Sequence, residues 1–249
     1  MKKNVINIIY NKPFTVSKSL ELITLLEAIV SPERLSYQLD KSGTPIKIEN
    51  MSSVLELAYK TDQFPVLNNG KEECLVSLSA YDIVPNSLNQ GFHTFYFVYP
   101  DHFQNIDAIY KVLKEIGDKT DAYLIDIRLV SQHYNPKEHT IFVGRESLPI
   151  KINLPVITNK TLPGQHMWEI PFNFSWINFW SKAIIDKVGL RYESDKDLFY
   201  KSIQLDNGGV LFQLTEEPLN INNDEHLETL RRCYERFDKI GNRYLLKDI

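Results

Sequence analysis

A Gly-rich turn at residues 206–209, DNGG, constrains this chain more than any other feature, because it fixes where two strands meet. A two-residue Asn-Gly loop favours a type I′ turn, since both central residues can adopt a positive φ. With Asn207 and Gly208 as the loop, Leu205 pairs with Val210. The sequence therefore predicts a β-hairpin whose register is set by its turn.

A helix is predicted before this hairpin. The hydroxyl of Ser175 can cap a helix by accepting from a free backbone N–H one turn further on. Gly189 supplies the end of the helix, because glycine adopts the left-handed conformation at little cost. Between them the apolar residues recur at helical spacing. They are Trp176, Phe179, Trp180, Ala183, Ile184 and Val188.

A second helix is predicted after the hairpin. It starts near Asn222 to Asp224, where Glu225 follows Asn222 by three residues, as in a capping box. Its apolar residues form one stripe and predict a face turned to the core. They are Leu227, Leu230, Tyr234 and Phe237.

The rest of the chain mixes strands and helices without strict alternation. Strand patterns such as 4–10 and 92–99 are separated by helical patterns such as 17–30, and four prolines mark residues 145–171 as a connector. This order predicts an α+β fold with a mixed or mainly antiparallel sheet flanked by helices. We expect two lobes, residues 1–145 and a helix-hairpin-helix lobe at 146–249, or one continuous domain.

Composition narrows the class of protein. The 249 residues are 43% hydrophobic, enough for a sizeable core, and carry a net charge of −4, which disfavours a nucleic-acid binder. The first residues resemble a strand more than a signal peptide, and no apolar run is long enough to span a membrane. We expect a cytoplasmic protein with no membrane partner, whose two cysteines, Cys74 and Cys233, are buried free thiols.

Candidate catalytic and metal-binding residues are few. His133 and His139 flank Pro136 and cannot share a helix face, and no local residue completes the set of three or four ligands that zinc needs. Asp126 lies in a strand pattern, but Arg128 follows two residues later, so the paired carboxylates of a metal-dependent nuclease are missing. No phosphate-binding or nucleophile motif occurs. The sequence predicts no enzyme, no cofactor and no metal.

Charge is unevenly distributed in the last quarter of the chain. Nine acidic residues but only two lysines lie between Glu193 and Glu228, and basic residues dominate after that point. Acid at the start of a helix and base at its end complement the helix dipole, which explains much of this pattern. The alternative is an acidic surface presented to a basic partner.

The segment 168–243 also resembles a known group of proteins. Its run FSWINFWSKAIIDKVGL, containing the motif S-W-x-N-x-W-S, and the DNGG block after it are similar to the C-terminal half of bacterial polymorphic-toxin immunity proteins, with immunity protein family 52 the nearest suggestion. The motif is one of packing and defines no active site. The resemblance implies an antitoxin that binds and neutralises a cognate toxin, of the restriction-endonuclease-like class, in a secretion setting such as type VI secretion.

Charge and resemblance together suggest where the toxin binds. The partner-binding residues that can act without disturbing the core are two acidic pairs, one after the hairpin and one at the start of the last helix. They are Glu216, Glu217, Asp224 and Glu225. Two other classes stay open, a cytosolic enzyme and a secretion-system adaptor, and the sequence makes no prediction of oligomeric state.

Overall fold

A computed structural model describes residues 3–80, 93–149 and 170–240, apart from short gaps at 13, 41, 72, 101–104, 130–131, 136–139, 144–145, 172 and 221. The chain divides into two compact units, Met1–Ile125 and Asp126–Ile249. The division predicted from the sequence, between residues 145 and 146, differs from this one. It stays a prediction about domain organisation.

The first unit begins with a strand and alternates strands with three helices. Its elements are β1 (Lys3–Tyr10), α1 (Val16–Glu27), β2 (Tyr37–Leu39), β3 (Pro45–Lys47), α2 (Met51–Thr61), β4 (Leu67–Asn68), β5 (Leu75–Ala80), β6 (His93–Pro100), α3 (Ile106–Lys119) and the start of β7 (Leu124–Leu129). Side chains cap the three helices at Thr15, Asn50 and Asn105, each accepting from a backbone N–H of the first turn.

The sheet of the first unit has the order β3-β2-β4-β5-β6-β1. Strand β1 pairs antiparallel with β6, from Lys3 opposite Pro100 to Tyr10 opposite His93. Seven of the eight β1 residues are buried, so both faces of this strand are covered. The strict alternation typical of a half-exposed strand is therefore absent, and β1 buries Asn4 and Asn7 along with its apolar residues.

The second unit contains two groups of strands and three helices. Its elements are the rest of β7, then β8 (Gln132–Asn135), β9 (Thr140–Val143), β10 (Glu146–Pro149), β11 (Ile177–Trp180), α4 (Lys182–Val188), α5 (Tyr192–Asp195), β12 (Lys201–Gln204), β13 (Val210–Gln213) and α6 (Asp224–Arg236). Strands β8, β9 and β10 form an antiparallel three-stranded sheet, and β11, β13 and β12 pair in that order.

The prediction of a helix beginning at Ser175 is wrong for the first half of that segment. Residues Ile177–Trp180 form strand β11, paired with β13, and the helix starts only at Lys182. All four β11 residues are buried, so neither face needs polar side chains. A fully buried strand and a buried helical turn have the same apolar pattern, and the spacing of Trp176, Phe179 and Trp180 fitted both. The predicted end at Gly189 is confirmed, with φ of 75°.

The hairpin is confirmed, but its predicted register is wrong by one residue. The Leu205 N–H donates to the Gly209 carbonyl, so the loop has three residues and only Gly208 in it has a positive φ. Val210 consequently pairs with Gln204 instead of Leu205. The three-residue loop places Gly208 at its positive-φ position, an arrangement that the DNGG sequence also allows. Gly209 lies against Phe179, where an added Cβ would be 2.6 Å from the nearest ring atom.

The S-W-x-N-x-W-S motif is a packing element, as predicted. The Ser175 N–H donates to Asn178 Oδ1 at 3.0 Å, and Asn178 Nδ2 donates back to the Ser175 carbonyl at 2.7 Å, closing a bend at the entry to β11. Trp180 is fully buried and packs edge-on against Phe212, with ring centroids 4.7 Å apart. The prediction that Trp176, Trp180 and Phe212 belong to the core is confirmed by their burial.

The last helix, α6, matches its prediction closely. Its N-cap is Asn223, one residue after the expected position, and the side chain accepts from the N–H groups of Glu225 and His226. The predicted stripe of Leu227, Leu230, Tyr234 and Phe237 is buried. The predicted stop at Gly241 lies outside the described residues.

The predicted fold class, α+β, is confirmed. Every strand pair with a described register is antiparallel. The longest described helix, α3, has 14 residues, and none in the described part of the chain has the length and apolar character needed to cross a bilayer.

Candidate functional site

The predicted acidic residues Glu216 and Glu217 lie on an exposed loop directly after β13. The backbone of this loop is held from below by Gln213, a residue that is only 1% exposed. Its Nε2 donates to the carbonyls of Thr215 and Glu216, both at 2.8 Å. A buried amide thus fixes the path of a surface loop through main-chain acceptors.

Two further side chains support the same loop. Trp176 Nε1 donates to the Thr215 carbonyl at 2.8 Å, and the Thr215 hydroxyl donates to the Glu217 carbonyl at 2.6 Å. Trp176 is buried and Thr215 nearly so. Since buried polar groups are costly to leave without partners, these hydrogen bonds specify one loop conformation.

The second acidic pair, Asp224 and Glu225, lies in the first turn of α6, and both side chains are exposed. Carboxylates at this position interact favourably with the helix dipole, so a structural role accounts for part of their presence. Glu225 additionally faces the loop that carries Glu216 and Glu217, because all three line one groove. Asp224 does not line that groove.

The groove has a volume of about 470 Å³ and lies entirely within the second unit. Its walls come from the segment before β12, from the loop that carries Glu216 and Glu217 (the acidic loop) and from α6. Its lining residues are Asp197, Leu198, Phe199, Tyr200, Leu214, Thr215, Glu216, Glu217, Asn223, Glu225, His226, Thr229 and Arg232. Four carboxylates thus face one guanidinium, which gives the groove a negative potential.

His226 links the acidic loop to the helix. Its Nδ1 accepts from the Asn220 N–H at 3.1 Å, which requires Nδ1 to be unprotonated. Burial lowers the pKa of His226 below its ordinary value of 6.5, against the opposing charges of Glu217 and Glu225. The imidazole is therefore neutral at pH 7 and does not offset the carboxylates.

Tyr200 stands at the edge of the groove with 55% of its surface exposed. Its hydroxyl donates a hydrogen bond to the Glu216 carboxylate, and this bond raises the pKa of the phenol. Beneath it, Phe199 is buried and stacks on Phe212 with ring centroids 4.3 Å apart. The groove therefore combines a rigid aromatic base with an acidic rim.

Other carboxylates of the second unit form ion pairs, unlike the four predicted partner-binding residues. On α6, Glu228 and Glu235 both pair with Arg231, and on α5 Glu193 pairs with Lys196. Within the described part of the chain, by contrast, Glu216, Glu217, Asp224 and Glu225 form no ion pair. Their charge is left to solvent or to a binding partner.

Among the described residues that were weighed for catalysis, none lines this groove. His93 is half-buried in β6, the side chain of His133 and all of His139 lie outside the described residues, and Asp126 accepts from the Ser175 hydroxyl at 3.3 Å. Across the described residues, no three His, Cys, Asp or Glu side chains converge as metal ligands. Burial raises the pKa of both thiols, Cys74 and Cys233, to about 12, so neither is an activated nucleophile.

Sequence reasoning located the acidic residues but missed Tyr200, Gln213 and His226. Tyr200 follows a buried phenylalanine, and Gln213 is a polar residue inside an apolar strand. Neither pattern is a strong signal of a binding site. Tyr200 contacts Glu216 across 16 positions, which no local pattern reports. Gln213 and His226 contact residues two to six positions away, but through irregular loop backbone that has no sequence period.

Comparisons with known proteins give a family and a fold. A family model described as Domain of unknown function (DUF5953) matches residues 15–245. No curated protein matches the chain. Among solved structures, the chain is similar to one named Pseudomonas aeruginosa T6SS protein PA0821, at 10% identity and a TM-score of 0.52, covering 93% of this chain and 73% of that one. A likeness at this identity is one of fold.

Proposed function

We propose that this chain, which belongs to the DUF5953 family, is an immunity protein that binds and neutralises a cognate secreted bacterial toxin. The motif S-W-x-N-x-W-S supports this proposal through its resemblance to polymorphic-toxin immunity proteins. The fold likeness to a protein named as a T6SS protein is compatible with a role linked to secretion. Membership of immunity protein family 52 and a cytoplasmic location are finer parts of the same proposal.

The observation that carries the proposal is the acidic groove of the second unit. It presents Glu216, Glu217 and Glu225 without ion pairs, on backbone that buried side chains hold in place. A surface whose charges are fixed before binding loses little entropy when a partner docks. Its negative potential selects a partner with a basic surface and speeds the encounter.

A nuclease is the toxin class that this surface fits. Such an enzyme must present basic groups to the phosphates of its substrate, and a carboxylate cluster can occupy those groups. In this proposal the chain acts by direct contact with the toxin. It needs no cofactor or metal, catalyses no reaction and binds no nucleic acid or membrane.

Coexpression tests this function. Where a neighbouring gene encodes a secreted protein with a C-terminal toxin domain, that domain is expressed in cells with the wild-type chain or with a variant carrying lysine at residues 216, 217, 224 and 225. We expect the wild type to restore growth and the variant to protect less, with slower association measured by surface plasmon resonance. The difference should shrink at high salt, because the Debye screening length falls from about 8–10 Å near physiological ionic strength to about 3 Å at 1 M.

A matched control reverses four exposed carboxylates that lie outside the groove, Glu21, Glu49, Glu56 and Asp238. Glu27 is unsuitable as a control, because its Oε1 accepts from the Leu35 N–H at 2.8 Å and a reversal would disturb the fold. Melting curves of both variants separate binding from stability, since lysine at Asp224 and Glu225 also opposes the helix dipole. Failure of the wild type to protect against any neighbouring toxin would overturn the proposed function.

The enzyme alternative has its own test. Alanine at each of the six histidines in turn should not abolish protection, because the proposal assigns none of them a chemical step. Complete loss with His133→Ala or His139→Ala in a folded protein would favour a metal-dependent or catalytic role.

A further inference from the structure

The groove contains an exposed aromatic side chain that the proposed function does not use. Large hydrophobic side chains are exposed at three positions in the described part of the chain, Ile46, Leu57 and Tyr200. Of these three, Tyr200 alone lines the groove. Exposed tyrosines in grooves with buried apolar surroundings are typical anchors of protein interfaces.

Tyr200 and Glu216 both line the groove. The phenol hydrogen-bonds to the carboxylate, which has further lone pairs that can accept from other donors. The ring presents a π face that attracts cations. Stacking of Phe199 on Phe212 fixes the chain position immediately before Tyr200.

This arrangement fits one kind of side chain. A guanidinium is planar, stacks on aromatic faces and donates in a fork that matches a carboxylate, whereas an ammonium is a compact, strongly hydrated point charge. The apolar base formed by Phe199 and Leu214 also favours the more weakly hydrated cation.

From this geometry we infer that the groove binds an arginine side chain of the partner protein, stacked on the Tyr200 ring and hydrogen-bonded to Glu216. The inference rests on the proposed function for the identity of the partner as a toxin. Glu217 and Glu225 supply the surrounding negative potential. Arg232, the one guanidinium in the groove, opposes binding by charge repulsion.

The test titrates the ¹⁵N-labelled protein with a hexa-arginine peptide and follows backbone and Tyr200 ring resonances by NMR. Hexa-citrulline, which has the same shape without the charge, and hexalysine serve as comparison peptides. We expect hexa-arginine to shift resonances of the groove residues and to bind more tightly than hexalysine. Equal affinity for the two cationic peptides, or shifts spread over the whole acidic surface, would overturn the inference.

Variants make the test specific. Tyr200→Leu removes the ring and should weaken hexa-arginine binding about two- to fivefold, the range expected for an exposed cation–π contact. Tyr200→Phe keeps the ring and should retain most of the affinity, while Arg232→Gln should raise it. Glu49→Gln is the control for Glu216→Gln, and only the latter should weaken binding. Unchanged affinity in Tyr200→Leu would contradict the inference.

Growth protection separates the inference from the proposed function. Arginine binding in the groove by a chain that protects against no toxin would leave the inference standing and overturn the function. Protection that is unaffected by Tyr200→Leu and Glu216→Gln would leave the proposed function standing and overturn the inference.

Discussion

Arg236, in the last turn of α6, binds the buried Asp195 through two parallel hydrogen bonds, Nε to Oδ1 at 2.8 Å and Nη2 to Oδ2 at 2.9 Å. Asp195 is 4% exposed and also accepts from the Arg191 N–H at 2.7 Å. The arginine further donates to the Gly189 carbonyl. This pair ties the end of α6 to the helices that precede the hairpin.

Arg236→Met should therefore destabilise the protein strongly, because it leaves a buried carboxylate with its charge unpaired. Complete burial of both partners would make the loss about 3–5 kcal/mol, and the partial exposure of Arg236 reduces our expectation to about 2–3 kcal/mol. Urea denaturation measures the free energy of unfolding. Arg231→Met on the same helix is the control, since it breaks only surface pairs and should change stability little. Equal losses in both variants would contradict this prediction.

Trp180→Ala should cost about 3–5 kcal/mol of unfolding free energy, because it leaves a cavity in the core. The side chain is fully buried and contacts the rings of Phe174, Phe212 and Phe237. Trp180→Phe, which retains an aromatic ring, should cost less. A loss below about 1 kcal/mol in the alanine variant would show that the site collapses around the missing ring.

Gln213→Leu should loosen the acidic loop more than it changes the fold. The variant removes both donors to the loop carbonyls, and we expect a loss of about 1–3 kcal/mol. Hydrogen exchange should accelerate at residues 214–217, and toxin association should slow with it. Thr24→Val removes an exposed hydrogen bond to the Leu20 carbonyl outside the groove and serves as the control. Unchanged exchange in Gln213→Leu would contradict a supporting role for Gln213.

The pH dependence of stability should carry a contribution from His226. Its pKa is lower in the folded protein than the ordinary 6.5, so the unfolded chain binds a proton more readily. The contribution is fully present above pH 6.5 and is lost as the pH falls through the folded pKa. NMR titration should place that pKa below 6.5, and Glu217→Gln should lower it further by removing a favourable charge. A pKa above 6.5 would reverse the sign and contradict the prediction.

Both thiols should be unreactive in the native protein. Burial raises the pKa of Cys74 and of Cys233 to about 12, so the thiolate is scarce at neutral pH. Ellman's reagent should label neither thiol in buffer and both in concentrated denaturant. Rapid labelling of the native protein would indicate an open conformation at one of these positions.

The sequence predicted best where one face of an element is polar. The stripe on α6 alternates buried leucines with exposed charges, and its helical period is unambiguous. Strand β11 is buried on both faces, so its period was lost and the spacing of two tryptophans suggested a helix instead. The hairpin register failed for a different reason, because DNGG is compatible with both a two-residue loop and the observed three-residue loop with Gly208 at positive φ.

The candidate site was only partly predictable for related reasons. Exposure of the four acidic residues follows from their positions at a strand end and a helix start, and the structure agrees. Their assembly into a groove with Tyr200 depends on how β12 and β13 pair. The register predicted for that pair was wrong by one residue, so the groove could not be predicted from it. Their role in binding a partner stays a prediction.

The hydrogen bonds that hold the acidic loop have a consequence for how such a protein can diversify. Gln213, Trp176 and Thr215 all donate to main-chain carbonyls, and every residue type carries a carbonyl. Substitutions at positions 216 and 217 therefore leave the loop path unchanged while altering the surface it displays. Under the proposed immunity function, this arrangement would let positions 216 and 217 change with the toxin while the path of the loop is kept.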